Sequence, residues 1–435
     1  MGMRAPRRRA LALAALLMVA LAGATPRDPE VVAEVDGAAL TRPVLAVFLA
    51  SARLHDDRVT ARQVLADLVD IHLMGAWYRE KHAVDHGPAR VGYDRAIRAD
   101  RDTAALIRVA YRDALAAALD AHGWDSPLDA VAGPWHLDTD KLAPILTADS
   151  GLRLALNERQ RAAARRWVVA RYRFPGGEER RLTLARLYDA QNIALKTRFH
   201  NLDGAAMADA AGAWVRRAFV LDWFERRAPL EPAERDWIRQ LVLDRLDQRA
   251  LLRALGLSDD PHDDNLRLRE VAETIPDKDI RRYYQLHREH FRRVEKVRAA
   301  RLYLPDQALA DRVHQRLQGG EPLAEVARRH ADRPGVSYQA PAWLQRGDPD
   351  VWLTGFAFTV EEGAVSPPAR VPGEARWVIV AVDRRREGFQ AADSEAVRYQ
   401  ASRVLARERL RERLRTGLAR RQAAARVRFY LEPSP

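Results

Sequence analysis

The sequence contains no cysteine among its 435 residues. Disulfide bonds, thiol catalysis and the acylated cysteine of a lipoprotein are therefore excluded, and packing alone must stabilise the fold. The sequence also lacks a glycine-rich phosphate loop, a G-x-S-x-G motif and any recognisable DNA- or RNA-binding motif. We expect no cofactor and no nucleic-acid partner.

Long apolar runs are also missing beyond the N-terminus, so a membrane-spanning helix is not expected there. At the N-terminus a basic stretch precedes the apolar residues 10–22, and small residues follow at 22–24. The basic stretch holds four arginines, Arg4, Arg7, Arg8 and Arg9. Thirteen residues rise only about 20 Å as a helix, which is too short to cross a bilayer. We expect residues 1–24 to be a signal peptide and the protein to be periplasmic; the alternative is an uncleaved membrane anchor.

Charge is abundant and mostly carried by arginine. Charged residues make up 30% of the chain, and the formal net charge is +12. Because these charges are spread along the whole sequence, they indicate a composition bias more than a nucleic-acid surface. A positive surface would still attract acidic polypeptides or anionic lipid head groups.

The first segment after the signal, residues 25–86, predicts a hairpin followed by two helices. Residues 31–35 alternate as a strand, Asp36-Gly37 is typical of a tight turn, and a second strand starts at Leu40. Thr41 stands at a helix N-cap, and residues 60–84 have the apolar spacing of a longer helix.

Residues 87–257 read as an almost wholly helical region. It includes an arginine-rich helix over 159–173, an apolar-faced helix over 205–227 and a long helix over 231–255. The segments 41–77 and 183–223 echo each other, since each has a threonine-led helix before a longer one, but the echo is too weak to establish a repeat. Residues 258–274 form a linker that starts with a polar, proline-containing run.

Residues 389–435 predict a long helix and a terminal strand. Arginines recur every fourth residue of this helix, at Arg403, Arg407, Arg411 and Arg415. Two interpretations remain open for them. They are either the solvated face of a helix whose leucines at 405, 410, 414 and 418 and valine at 404 face a core, or a basic helix that contacts a membrane surface. The alternating end of the chain could pair back onto another domain.

Residues 275–388 supply the pieces of a small α+β domain in a fixed order. A strand over 296–304 is followed by helices over 308–317 and 323–330. A strand over 338–343, the segment GFAFTVEEGAVSPP from Gly355 and a strand over 376–380 complete it.

This order resembles the parvulin-type, or PpiC-type, peptidyl-prolyl isomerases. The segment 31–84 is similar to the N-terminal domain of exported folding factors of the SurA, PrsA and PpiD type. The resemblance implies a four-stranded antiparallel sheet wrapped by helices. Parvulin sites hold two histidines and an Asp or Cys, and the matching positions here are Leu302, Trp377 and Ala340. The exchange indicates an apolar, repacked site, so no catalytic residue is assigned.

An apolar binding surface is what remains of such a site. The resemblance places five residues where the family binds proline or aromatic side chains: Trp343, Trp352, Leu353, Phe356 and Phe358. They would bind extended, unfolded segments of a polypeptide. The alternative is that they are core residues of the sheet domain.

No metal site is expected. His82 and His86 lie at a helix end without a third ligand at a suitable spacing, and His287 and His290 flank an aromatic helix face as surface residues.

The sequence thus predicts an α+β periplasmic folding factor that binds unfolded or partly folded exported proteins, with prolyl isomerase activity weak or lost. A catalytically active isomerase and a dedicated assembly partner of one envelope complex are the alternatives.

Overall fold

The computed structural model describes residues 30–82, 92–147, 155–258 and 265–431. They form two compact units. Unit 1 holds the described residues up to Ser258 together with those from Arg413 onwards, and unit 2 holds those between them. The predicted α+β class is confirmed. The predicted signal peptide, His86 and most of the polar run of the linker lie outside the described residues, and the finer domain boundaries stay predictions.

Unit 1 starts with a hairpin and continues mainly as helices. Its elements up to Ser258 are β1 (Val31–Val35), β2 (Ala38–Thr41), α1 (Arg42–Arg53), α2 (Ala61–Lys81), α3 (Arg95–Ala110), α4 (Arg112–Asp120), a short 3-10 helix (Pro127–Ala130), α5 (Thr139–Leu146), α6 (Glu158–Arg166), β3 (Val168–Tyr172), β4 (Arg180–Thr183), α7 (Leu184–Asp189), α8 (Ile193–His200), α9 (Gly204–Arg226) and α10 (Pro232–Ala254).

Unit 2 follows with the sheet domain, and the last helix leads back into unit 1. These elements are α11 (Leu266–Glu273), α12 (Asp277–Leu286), a 3-10 turn (Arg288–Phe291), β5 (Arg292–Leu304), α13 (Gln307–Gln318), α14 (Leu323–Arg329), β6 (Ser337–Gln345), α15 (Val351–Phe358), β7 (Ala369–Arg370), β8 (Trp377–Phe389), α16 (Glu395–Ala424) and β9 (Arg428–Phe429).

The β1–β2 hairpin forms where the sequence predicts it. Asp36 and Gly37 both have positive φ, 51° and 82°, which suits a two-residue hairpin turn. Thr41 is the N-cap residue of α1, but its hydroxyl does not cap that helix. It donates instead to Glu234 Oε1 at 2.6 Å, which ties the hairpin to α10.

A second hairpin lies where a helix was predicted. The expected helix over 159–173 ends at Arg166, and β3 starts at Val168. Valines and a tyrosine favour the extended backbone, and a glycine with φ of 73° at Gly176 lets the chain turn into β4. The prediction of one continuous helix was wrong at this point.

The two hairpins share one construction. In β1–β2 the pair Val31↔Thr41 is followed by a register shift, and in β3–β4 the pair Val168↔Thr183 is followed by the same kind of shift. Each threonine is the N-cap of the next helix, α1 or α7. The faint sequence echo therefore corresponds to a repeated hairpin–helix unit.

Buried charges fasten α2 to α10 inside unit 1. Asp244 and Asp247 of α10 are almost fully buried. Arg79 Nη1 donates to a carboxylate oxygen of each at 2.6 Å, and His72 Nδ1 lies 2.8 Å from Asp244 Oδ2. Gly75 permits this approach, since a Cβ there would lie 2.7 Å from Asp244 Oδ1. Buried carboxylates need such partners to offset their desolvation.

The end of the chain completes unit 1. β9 pairs antiparallel with β1, with Glu34 opposite Arg428 and Ala33 opposite Phe429, so the sheet order is β2–β1–β9. Ala425 packs in a small core with residues of β1 and α2. The predicted pairing of the terminal strand with an earlier part of the chain is confirmed.

The long helix α16 buries a different stripe from the expected one. Of the residues in the predicted apolar stripe, only Leu410 is buried. The other buried residues of α16 are Val397, Ala401, Ser402 and Ala406. Arg403, Arg407 and Arg411 are partly buried, and the Arg403 guanidinium lies 5.3 Å from the Tyr399 ring centroid. Membrane contact by these arginines stays a prediction. In the described part of the chain, no helix combines the length and apolarity needed to span a bilayer.

Candidate functional site

The four-stranded antiparallel sheet of unit 2 has the order β6–β5–β8–β7 and is covered on both faces. Side chains of a strand alternate between the faces. In β5, Val297, Ala299 and Tyr303 pack with α15, and we call this the α15 face. The intervening Leu302 and Leu304 pack with α13 and α14, and we call this the α13 face. The central strands therefore carry apolar residues on both sides.

The helix α15 is almost entirely apolar and is fixed at both ends. Asp350 caps its N-terminus, accepting a hydrogen bond from Leu353 N at 3.0 Å. At its C-terminus the Thr359 hydroxyl donates to Phe356 O at 2.7 Å. Leu353 and Ala357 are buried against the sheet. The helix thus holds its remaining large side chains at the rim of the α15 face.

Trp352 and Phe356 form an aromatic pair on α15. They are one helical turn apart, their ring centroids lie 5.5 Å apart, and the ring planes differ by only 12°. Phe358 is partly buried in the same cluster, and the Arg346 guanidinium lies 4.7 Å from its ring centroid. Trp352, Leu353, Phe356 and Phe358 are therefore brought together, as the sequence predicts.

Trp343 does not join that cluster. Its neighbour Leu344 packs on the α15 face, so alternation directs Trp343 to the other side of β6. There the Trp343 ring is 37% exposed, and the Arg386 guanidinium lies 4.8 Å from its centroid.

The three positions of the exchanged parvulin residues are not brought together on one surface. Leu302 is fully buried on the α13 face, and Trp377 is partly buried in the same cluster. Ala340 is exposed on β6 and belongs to neither cluster. An apolar, repacked interior is thus observed around Leu302, whereas for Ala340 that expectation is wrong.

Arg301 is a residue of the α15 face that the sequence reading left out. It pairs with Val380 of β8, a residue of the α15 face, and it lies between Ala299 and Tyr303 in the alternation of β5. Its Nε atom is buried and has no hydrogen-bond partner among the described residues. Once Tyr303 is known to lie on the α15 face, counting by two along β5 places Arg301 there as well.

Histidines are absent from the α15 face in the part of unit 2 that the structure describes. His287 and His290 are exposed before β5, with ring centroids 5.3 Å apart. His314 lies in α13, and His330 directly follows α14, so both belong to the helices on the α13 face. The polar groups at α15 are instead Arg346, Arg385, whose Nη2 donates to Phe358 O at 2.8 Å, and the buried hydroxyl of Thr354.

Arg376 provides a fixed positive charge at this end of the sheet. Its guanidinium lies 4.3 Å from the Tyr303 ring centroid and is hydrogen-bonded to Glu374. The hydrogen bond that Arg376 donates to the Glu374 carboxylate raises the pKa of Arg376 above its ordinary value, so the guanidinium stays charged at every physiological pH. Among residues 30–82, 92–147, 155–258 and 265–431, no group of three or more His, Asp or Glu side chains is arranged to hold a metal ion.

Comparisons with known proteins agree with this geometry in part. A comparison with curated proteins finds no match. Peptidylprolyl isomerase PrsA from Bacillus anthracis is 15% identical, over 43% of this chain and 83% of that one, with a TM-score of 0.19. PrsA from Bacillus subtilis is 14% identical, over 56% and 89%, with a TM-score of 0.15.

A SurA-like chaperone of Campylobacter jejuni is 14% identical, over 55% of this chain and 90% of that one, with a TM-score of 0.20. These scores are too low for any residue's role to be transferred from those structures. The model of the PPIC-type PPIase domain matches residues 275–398, which contain the whole sheet of unit 2. Residues 275–398 of this chain are therefore a parvulin-type, PPIC-type PPIase domain.

Proposed function

We propose that this protein is a periplasmic folding factor that holds extended apolar segments of unfolded exported proteins, and that its PPIC-type domain has weak or no prolyl isomerase activity. The aromatic cluster of α15 carries this proposal. We call the partly buried Trp352, Phe356 and Phe358 the client surface, and Leu353 is the buried member of their cluster.

The client surface combines apolar area with fixed geometry. Trp352 and Phe356 are only partly buried although they are large, and their rings stack nearly parallel to each other. Aromatic side chains of this kind gain about 1.5–3 kcal/mol when an apolar partner covers them fully. Partial coverage of two rings gives weak, reversible binding, which suits a holding factor that uses no energy source.

The chemistry of the α15 face supports loss of catalysis. Prolyl isomerisation has a barrier of about 20 kcal/mol, which an enzyme lowers by weakening the resonance of the twisting amide. The resemblance to parvulins implies two histidines for this task, and the described residues of this face offer none. Arg301 is the cation nearest in sequence to the expected position, and a guanidinium donates hydrogen bonds but offers no acceptor atom.

The binding proposal is tested with a permanently unfolded, alkylated protein as the ligand. We expect Trp352→Ala and Phe356→Ala each to weaken the Kd measured by fluorescence anisotropy by about tenfold, as truncation of a buried aromatic contact does. Trp343→Ala is the matched control, because this tryptophan is also part-exposed but lies on the other side of the sheet. Equal losses in Trp343→Ala and Trp352→Ala would disprove a client surface on α15.

The activity proposal is tested in a protease-free prolyl isomerisation assay on a model peptide. We expect the full-length protein to give no more than the uncatalysed rate. A rate above background that Trp352→Ala or Phe358→Ala abolishes would establish the active-isomerase alternative. Binding to a single envelope protein, without suppression of aggregation of unrelated unfolded proteins, would establish the dedicated-partner alternative.

A further inference from the structure

A cavity of about 450 Å³ lies between α13 and the end of α14, across the sheet from the client surface. Leu309 and Val313 supply its apolar part. Its polar lining is almost entirely basic and consists of Arg312, Arg316, Arg333, His330 and Gln315. Such a concentration of positive groups around one concavity calls for a negative ligand.

Within the described residues, the three arginines have no paired counter-charge. Arg312 and Arg316 are one turn apart on α13, where like charges repel each other. Among the described residues, neither they nor Arg333 form an ion pair with a carboxylate. The neighbouring arginines of α14 do form such pairs, Arg329 with Glu321 at 2.9 Å and Arg328 with Glu325 at 4.0 Å. The two arginines of α14 thus have carboxylate partners, whereas the three arginines that line the cavity have none among the described residues.

His330 also lines the cavity. It follows α14, and its backbone oxygen accepts a hydrogen bond from Arg333 N at 3.0 Å, which brings Arg333 round to the cavity. The Nδ1 atom of His330 is buried and has no hydrogen-bond partner among the described residues. Because Nδ1 is buried, the cavity meets His330 through the rest of its imidazole ring.

Burial, and then the charges of Arg333, Arg316, Arg329 and Arg312, lower the pKa of His330 below its ordinary value. The imidazole is thus neutral at pH 7 and has one N–H to donate. Three guanidinium groups provide forked donors that match the oxygens of a phosphoryl group. A phosphoryl group also offers more acceptor oxygens and more negative charge than a carboxylate.

We propose that this cavity is a binding site for a phosphoryl group, held by Arg312, Arg316, Arg333 and His330. The same chemistry is presented by free phosphate or a soluble phosphomonoester and by the phosphate of a lipid head group. The site is independent of the client surface, because none of its residues belongs to α15 or to the α15 face.

The test uses inorganic phosphate and the full-length protein. We expect saturable binding in isothermal titration calorimetry. We also expect the pKa of His330, measured from the NMR signals of its ring, to rise when phosphate is added. His330→Gln identifies those signals. Arg316→Gln and Arg333→Gln should each weaken phosphate binding by about tenfold or more, the usual effect of removing a charged hydrogen bond. Arg328→Gln is the control, since Arg328 pairs with Glu325 and does not line the cavity.

A second arm uses vesicles of phosphatidylglycerol with and without phosphate. Vesicle binding that is lost in Arg316→Gln and competed by phosphate would support the site and identify the lipid head group as its source of phosphate. Phosphate binding without vesicle binding would support the site with a soluble ligand. The proposal is overturned if phosphate does not bind saturably, if acetate binds equally well, or if Arg316→Gln and Arg333→Gln bind phosphate as the unchanged protein does.

Discussion

At the scale of single residues, the neighbours Arg301 and Leu302 lie on opposite faces of the sheet, Arg301 on the α15 face and Leu302 on the α13 face. A shift of one residue in a strand moves a side chain to the opposite face. Apart from Arg301, the run from Ala299 to Leu304 is apolar on both faces because helices cover both, so its pattern does not reveal which face a residue occupies. The sequence therefore predicts the strand correctly but not the surface to which Leu302 belongs.

Asp70 is a residue whose ionisation the fold opposes. Burial in α2 raises the pKa of Asp70 to about 6. The hydrogen bond that Gln422 Nε2 donates to Asp70 Oδ1 at 2.6 Å lowers this pKa, and the charge of Asp67 raises it. In the unfolded chain such a carboxyl has a pKa of about 3.9. Between about pH 4 and 6 the folded chain therefore binds the extra proton, and stability falls as the pH rises.

We accordingly expect Asp70→Asn to raise the free energy of unfolding by about 1–2 kcal/mol at pH 8 and to leave it almost unchanged at pH 4. Asparagine retains an oxygen that can accept the hydrogen bond from Gln422. Urea denaturation at the two pH values measures the difference. The exposed Asp57→Asn should change stability by less than about 0.5 kcal/mol at both. A gain from Asp70→Asn that is the same at pH 4 and pH 8 would contradict this account.

At the scale of elements, the order of the pieces in unit 2 follows from the sequence, whereas β3 and β4 do not. The arginines of α6 continue the helical spacing up to Arg166, and only the valines at 168 and 169 argue against a longer helix. β-propensity is a weak signal over five residues, since pairing with β4 supplies most of the stability of β3. The spacing of residues along one segment does not show with which other segment that segment pairs.

The contact between α16 and α2 depends on a glycine. The Trp77 ring of α2 lies against Gly417, so closely that a Cβ at Gly417 would overlap the ring. One turn further along α16, Arg421 places its guanidinium 4.8 Å from the ring centroid and its Nη1 2.7 Å from Glu80 Oε2. Glycine at position 417 is therefore required by packing and not by backbone conformation.

We expect Gly417→Ala to destabilise unit 1 by about 1–2 kcal/mol. Alanine ordinarily stabilises a helix interior by up to about 1 kcal/mol over glycine, and the overlap with Trp77 costs about 1–3 kcal/mol or more. Thermal unfolding followed by tryptophan fluorescence measures the loss. Gly355→Ala is the matched control, because it is also a helical glycine and its Cβ would meet no atom within 4 Å. A stabilised Gly417→Ala variant would show that Trp77 moves aside without cost.

At the scale of the whole molecule, the chain leaves unit 1, forms unit 2 and returns to complete unit 1. The return contributes β9, which pairs with β1, and Leu418, Ala425 and Val427, which pack with residues of β1 and α2. The sheet of β1 and β2 and the apolar contacts of α2 are therefore complete only with the C-terminal segment. Terminal strand pairing was predicted from the alternation at the end of the chain, but its partner strand is known only from the fold.

A variant that ends at Glu412 should consequently lose stability in unit 1 and not in unit 2. Val35, Val69 and Leu73 would lose their apolar cover, and burying each side chain of that cover is worth about 1–3 kcal/mol, so the loss should be a few kcal/mol. Hydrogen exchange read by mass spectrometry should show faster exchange in β1, β2 and α2, with unchanged protection in β5 and β8. A variant that ends at Leu431 keeps β9 and should exchange like the full chain. Unchanged protection of α2 in the shorter variant would mean that the returning segment contributes no stability, and unit 1 would then be complete without it.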